Sequence, residues 1–328
     1  MLSRFYKPVL LISLVVLLVA MAGRLSCTQS APKPLRVGYL LGDLHHLPLF
    51  VALDQGFFKD EGIDVQIVGP FDAGPAEMDA LASNQLDMGY VGLAPAVLAA
   101  ARKVELSIIS GVNQEGSGLA VEKNINSVAD LKSKKVATPA PGSIQYVMMG
   151  MLLSNNKMTF QDLDLFPGTI KPPDMPGALQ TGRISGYFVW EPYVAKSVVS
   201  GTGKVLIESK DIWPGHPCCV VVTRNDFASK NANTVATVLR VHQRAIKFIA
   251  DNPAEAKIIA AKFTKLDAAT IDEAFKRVIY TSTLNKDDVK RFMKEIMSLG
   301  ETGVIKPIIT SADVPDIDAF VNRVVNLK

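Results

Sequence analysis

Leu35-Arg36-Val37-Gly38-Tyr39-Leu40-Leu41-Gly42-Asp43-Leu44-His45-His46-Leu47 and its continuation to Pro95 decide the fold. The run 35–40 reads as a buried strand, 42–46 as a loop and 47–55 as a helix. A second strand follows at 65–68, a helix at 76–84 and a third strand at 88–91, which runs into Gly92-Leu93-Ala94-Pro95. Strands alternating with helices at this spacing predict parallel strands joined by helical crossovers, an α/β lobe. Glycine after the third strand lets a ligand approach the backbone, and proline suits the first turn of the next helix. Helix starts leave amide donors unpaired and carry partial positive charge, so they suit small polar or anionic ligands.

A second cycle begins at Ser127-Val128-Ala129-Asp130, where Ser127 caps and Asp130 returns the bond. Strand 135–138, loop Pro139-Ala140-Pro141-Gly142-Ser143, helix 144–155, strand 164–166, a helix over 176–181 and strand 186–189 follow, delivering Trp190-Glu191-Pro192. After the apolar run 219–223 the pattern turns helical: 233–250 with apolar residues at helical spacing, a helix from Asn252-Pro253-Ala254-Glu255, then 268–279, 286–299 and 315–325. This tail is long enough to pack back on the first lobe.

The first 26 residues are of another kind. Arg4 and Lys7 precede an apolar run, 9–22, too short to span a bilayer comfortably, as in an export signal. Removing it takes three of the 35 basic side chains (Arg4, Lys7, Arg24) and none of the 32 acidic ones, which leaves the two signs equal. Balanced charge without a long basic run argues against a nucleic-acid partner. No Ser-His-Asp order, metal-ligand spacing or phosphate loop marks an enzyme, and no cofactor is expected.

Gly56-Phe57-Phe58-Lys59-Asp60-Glu61-Gly62-Ile63-Asp64-Val65, Leu86-Asp87-Met88-Gly89-Tyr90-Val91-Gly92, the stretch 125–137 and Val189-Trp190-Glu191-Pro192-Tyr193 resemble, in order, the nitrate, sulfonate, taurine and bicarbonate group of ABC-transporter solute-binding proteins. Its superfamily also holds proteins that bind thiamine pyrimidine precursors. The resemblance implies a two-lobed, type II periplasmic binding protein, each lobe a mixed sheet flanked by helices, with a helical C-terminal tail. It implies lobe 1 from 35–119 and 220–328, lobe 2 from 120–219, and crossings near 118–121 and 218–221. Residues 1–26 would be the signal and 27–34 a linker. Leu25-Ser26-Cys27 resembles a lipobox, which implies acylation of Cys27 and a lipid anchor in the periplasm or on the outer face of the membrane, although Arg24 departs from the pattern. The implied role is capture of a small oxyanion or sulfonate-type solute for an ABC permease and its ATPase. A heteroaromatic vitamin precursor, or an extracytoplasmic sensor role, is the alternative.

The candidate ligand contacts are Asp43, His45 and His46 in the first loop, Gly92, Leu93 and Ala94 at one helix start, and Gly142, Ser143 and Ile144 at its counterpart. Ser117 beside the first crossing, with Trp190 and Glu191 closing a strand, completes the set. An imidazole donates and accepts, a serine hydroxyl with nearby amides grips an oxyanion, and an indole covers a carbon chain or ring. Each has a structural alternative: a packed or capping histidine, plain turn chemistry, Trp190 as core and Glu191 paired with a base. His216-Pro217-Cys218-Cys219 invites a metal, but adjacent cysteines in an apolar strand without ligand spacing read as small buried hydrophobes, so no metal is expected.

Overall fold

The computed structural model describes residues 33–327; the expected signal and the acylation site Cys27 lie outside the described residues. The chain lays down β1 (Leu35–Leu40), β2 (Val65–Phe71), β3 (Met88–Gly92) and β4 (Leu106–Glu115). It then builds β5 (Ser117–Val121), β6 (Lys135–Thr138), β7 (Asp164–Pro167), β8 (Gly186–Trp190) and β9 (Lys204–Glu208), and returns with β10 (Pro217–Arg224) and β11 (Val278–Tyr280).

Two mixed sheets result, ordered β11-β4-β10-β3-β1-β2 and β7-β6-β8-β5-β9. In the first, β1 pairs in parallel with β2 and β3, while β10 runs antiparallel between β3 and β4. In the second, β6 is parallel to β7 and β8, and β5 antiparallel to β8 and β9. Strands covered on both faces read as continuous apolar runs, and β3 and β8 bury every residue. The chain changes sheets at Glu115 and Gly116, both at positive φ, and comes back over 209–217. The stretches 118–121 and 218–221, expected near crossings, lie inside β5 and β10.

Local cues set several elements. The Ser127–Asp130 capping box forms, but on a short 3-10 turn, Val128–Leu131. Helix Ile144–Asn155 begins where Ser143 accepts from the Tyr146 amide. Asn252 behaves differently from the expected cap: its side-chain amide reaches back to the Phe248 carbonyl of the preceding helix. The helix expected over 268–279 stops at Ala274, because Val278-Ile279-Tyr280 joins the edge of the first sheet against β4. The tail divides. Helices Ala232–Asp251 and Pro253–Thr264 pack on Leu47–Asp54, with Phe263 stacked on Phe50 at 4.4 Å. Lys286–Glu301 packs on Ile144–Asn155 instead.

Candidate functional site

The loop after β1 is held by its own polar side chains. Asp43 Oδ1 accepts from the His45 amide at 2.9 Å and caps the turn Leu44–His46. His46 Nδ1 accepts from the Leu40 amide at 3.2 Å, which places its proton on Nε2, 3.8 Å from Asp43 Oδ2. His45 Nε2 donates to the Gly116 carbonyl at 2.8 Å. That leaves His45 Nδ1 facing Asp43 Oδ1 at 3.4 Å, Cys218 Sγ at 3.5 Å and Cys219 Sγ at 3.7 Å. Gly116 is fixed by this contact: at φ +82° a Cβ would lie 2.3 Å from His45 Nε2.

These groups are buried, and their acidities follow. Burial pushes the Asp43 carboxyl up to about 7 against the pull of His45. Burial opposes a charge on His45, but Asp43 and Cys218 outweigh it and raise the imidazole to about 10. The hydrogen bond from Cys219, with His45, holds the Cys218 thiol well below its ordinary range, while burial pushes Cys219 up. Burial and the neighbouring His45 keep His46 neutral.

Between the sheets lies a narrow pocket, with a cavity of about 10 Å³, onto which Asp43, Gly92, Ser143, Ile144, Trp190, Cys218 and Cys219 open. Two helices start there. Gly92 is the cap residue of Leu93–Ala101 and Ser143 that of Ile144–Asn155, and a Cβ on Gly92 would meet Ile144 Cγ1 at 3.4 Å. Gly92 brings no side chain to cap its helix. Trp190 is 2% exposed, and its indole Nε1–H has no hydrogen-bond partner. Among the described residues that line the pocket there is no Lys or Arg.

The remaining candidates lie elsewhere. His45 and His46 stand behind Asp43, fully covered, and Leu93 and Ala94 are buried in the first turn of their helix. Gly142 lines a separate pocket with Pro75, Leu98 and Arg102. Ser117 Oγ accepts from Gln145 Nε2 at 2.9 Å. The Glu191 carboxylate turns away from the pocket, accepting from the Ala195 amide at 3.0 Å and pairing with Arg277 at 3.0 Å. Burial nonetheless holds its carboxyl up near 7, against Arg277.

Sequence reasoning passed over Gln145 and Glu77, and it weighed Cys218 and Cys219 only to set them aside. Gln145 lines the pocket, and its place in the first turn of a helix starting at Ser143 was the available signal. Glu77 packs its buried carboxyl where Gly38 and Gly89 leave room, since a Cβ on either would lie 2.8 or 2.5 Å from Oε1. Cys218 and Cys219 converge on His45 although 173 and 174 residues away in sequence. Cysteines without ligand spacing in sequence thus meet a histidine in space.

Known proteins resemble the chain over most of its length. A putative aliphatic sulfonates-binding protein from Bacillus subtilis is 26% identical over 289 residues, 84% of each chain. The taurine-binding periplasmic protein of Escherichia coli is 30% identical over 191 residues, 56% of each. The solved alkanesulfonate-binding protein of Xanthomonas axonopodis, bound to MOPS, superposes with a TM-score of 0.73 at 18% identity, covering 86% of this chain and 98% of its own. The periplasmic nitrate-binding protein of Synechocystis gives 0.74 at 17%, covering 89% and 86%. Such structural likeness establishes the fold, that of the periplasmic binding proteins. The NMT1-like family model matches residues 28–263, and the chain belongs to that family.

Proposed function

We propose that this protein is the extracytoplasmic solute-binding component of an ABC importer, which encloses a small sulfonate-type or other oxyanion solute between two lobes and delivers it to a permease. We take lobe 1 as the part built on the sheet of β1–β4, β10 and β11 and lobe 2 as the part built on β5–β9, which moves the expected boundaries from 119/120 and 219/220 to 115–116 and 209–217 so that β5 and β10 stay whole. Cys27 is the lipid anchor, and the protein works by binding, with no chemistry of its own. The observation that carries this reading is the pair of helix starts at Gly92 and Ser143, which meet at one pocket beside the unpartnered Trp190 Nε1–H.

Those neutral donors suit an anionic group. Asp43, on the same wall, suits an amine or other donor at the far end of the solute. The site therefore favours a solute that carries both, such as an aminosulfonate. A heteroaromatic amine lying on Trp190 is the second reading, favoured by the pairing of indole and carboxylate where no cation lines the wall.

Thermal denaturation against alkanesulfonates, aminosulfonates, inorganic oxyanions and aminopyrimidines tests the reading. A solute at a hundredfold excess over its dissociation constant stabilises by about 2.7 kcal/mol. The expected result is a shift with aminosulfonates larger than with matched alkanesulfonates. A shift with aminopyrimidines alone selects the second reading, and no shift across the panel overturns both.

A further inference from the structure

We propose that His45 Nδ1, Cys218 Sγ and Cys219 Sγ form a three-donor site for a thiophilic d10 cation of the Cu(I) or Zn(II) kind, on the wall of the cleft. Adjacent residues on a regular strand point to opposite faces. Here the register of β10 against β4 shifts on both sides of Cys219, and both sulfurs come to one imidazole nitrogen. Their distances from His45 Nδ1 are 3.5 and 3.7 Å, and the three donor atoms lie within 4.8 Å of one another. Metal–sulfur bonds of about 2.3 Å and metal–nitrogen bonds of about 2.0–2.1 Å at near-tetrahedral angles put N and S roughly 3.5–3.6 Å apart. The cluster already has that separation.

The imidazole is oriented as metal-binding histidines are. Its Nε2–H is held by the Gly116 carbonyl at 2.8 Å, so Nδ1 is the nitrogen that faces the sulfurs and becomes the ligand once a cation displaces its proton. His46 stays outside the donor set because its Nδ1 accepts from the Leu40 amide and its Nε2 keeps the proton. Both cysteines open onto the central pocket, which provides an entry path and leaves a coordination position toward the cleft. Two thiolates with one imidazole select soft or borderline cations over Mg²⁺ and Ca²⁺. As the metal–nitrogen and metal–sulfur bonds form, the proton on His45 Nδ1 and any proton still on either sulfur pass to solvent. The donors are all protein atoms, so the site holds whichever solute the cleft takes.

The test uses the whole chain, reduced and stripped of metal, with Zn(II) and Co(II) added separately. One equivalent of Zn(II) is expected to protect Cys218 and Cys219 from alkylation at least tenfold, read by peptide mass mapping that keeps Cys27 separate. Co(II) is expected to give near-ultraviolet thiolate charge-transfer absorption that is lost in Cys218→Ser with Cys219→Ser, and His45→Gln is expected to weaken Zn(II) binding at least tenfold. Equal alkylation with and without Zn(II), or absorption that survives in the double variant, overturns the proposal. Should a variant fail to fold, the protection measurement on the unmutated chain decides alone.

Discussion

Replacing Arg277 with alanine removes the only cation that Glu191 meets among its described hydrogen-bond partners. The guanidinium lies 3.0 Å from Glu191 Oε1, 2.9 Å from Glu208 Oε1 and 2.6 Å from Glu273 Oε1, and its side chain is 9% exposed against 0% for Glu191. Breaking a buried pair from one side costs about 3–5 kcal/mol, because the partner's charge is left without compensation. The cost depends on pH. Glu191 is raised from 4.5 to about 7 even with Arg277 present. A raised carboxyl contributes stability that is complete below the unfolded value and lost as pH rises through the folded one, roughly 3 kcal/mol for this shift. Without Arg277 the folded value climbs further, so the variant loses more above pH 7 than the parent does. His45, Tyr187 and Tyr280 also face this carboxyl. His45 stays charged and the tyrosines neutral at pH 5 and at pH 8, so the change between them belongs to Glu191. Urea unfolding of parent and variant should show Arg277→Ala costing about 1 kcal/mol more at pH 8 than at pH 5, where Glu191 is protonated in both, since one pH unit above the parent's folded value of about 7 is worth roughly 1.4 kcal/mol. An equal cost at the two pH values refutes the assignment of Glu191 as the buried partner.

Gly116→Ala forces a side chain into left-handed backbone and against His45 Nε2, so unfolding measurements should show a loss of about 2–4 kcal/mol, from a strain of roughly 1–2 kcal/mol together with the broken imidazole contact. Tyr193→Phe deletes the hydroxyl that donates to the Leu41 carbonyl at 3.2 Å across the two sheets; titration with an identified solute should show affinity falling roughly fivefold, equivalent to about 1 kcal/mol, with little change in unfolding midpoint. Asp43→Asn keeps the cap on the His45 amide and removes the charge, so amine-bearing solutes should lose about tenfold in affinity while plain sulfonates hold or gain; equal changes in both would remove Asp43 from solute contact. His242→Ala strips the Tyr90 hydroxyl and the Gly111 carbonyl of a buried partner, and its unfolding free energy should drop by about 2–4 kcal/mol.

Elements with local cues were legible in the sequence. Leu35–Leu40 and Ile144–Asn155 come out at their expected ends because an apolar run bounded by glycine, and a serine cap followed by an apolar run, are decided within a few residues. β11 was not legible: Val278-Ile279-Tyr280 follows a true helix in phase, and only pairing with residues 113–115 makes it a strand. The site divides the same way. Strand-to-helix joints at Gly92 and Ser143 follow from pattern, so the helix starts could be placed in advance. Whether Glu191 meets a ligand or a base depends on Arg277, 86 residues on, and whether Cys218 and Cys219 diverge depends on a bulge set by β4. Long-range pairing of this kind leaves no local trace.

The make-up of the pocket wall bears on how such a site can both take and release its ligand. A Lys or Arg in a closing cleft must shed its water each time the lobes meet, and that penalty is recovered only with a well-matched anion. The helix starts at Gly92 and Ser143 and the Trp190 Nε1–H are already out of water, so on the proposed reading closure over a ligand adds little further desolvation on the protein side. The acidic group on the wall works in the opposite sense. Asp43, raised to about 7, sits between its charged and neutral forms near neutral pH, and a bound amine draws it to the carboxylate. A solute with a donor at one end is thus rewarded twice, by the pair it forms and by the ionisation it completes, whereas a bare oxyanion meets a carboxyl that has to stay protonated. On the proposed reading, discrimination between solutes of the same size rests on the wall around Asp43, and the helix starts set only that an anionic or polar end is held.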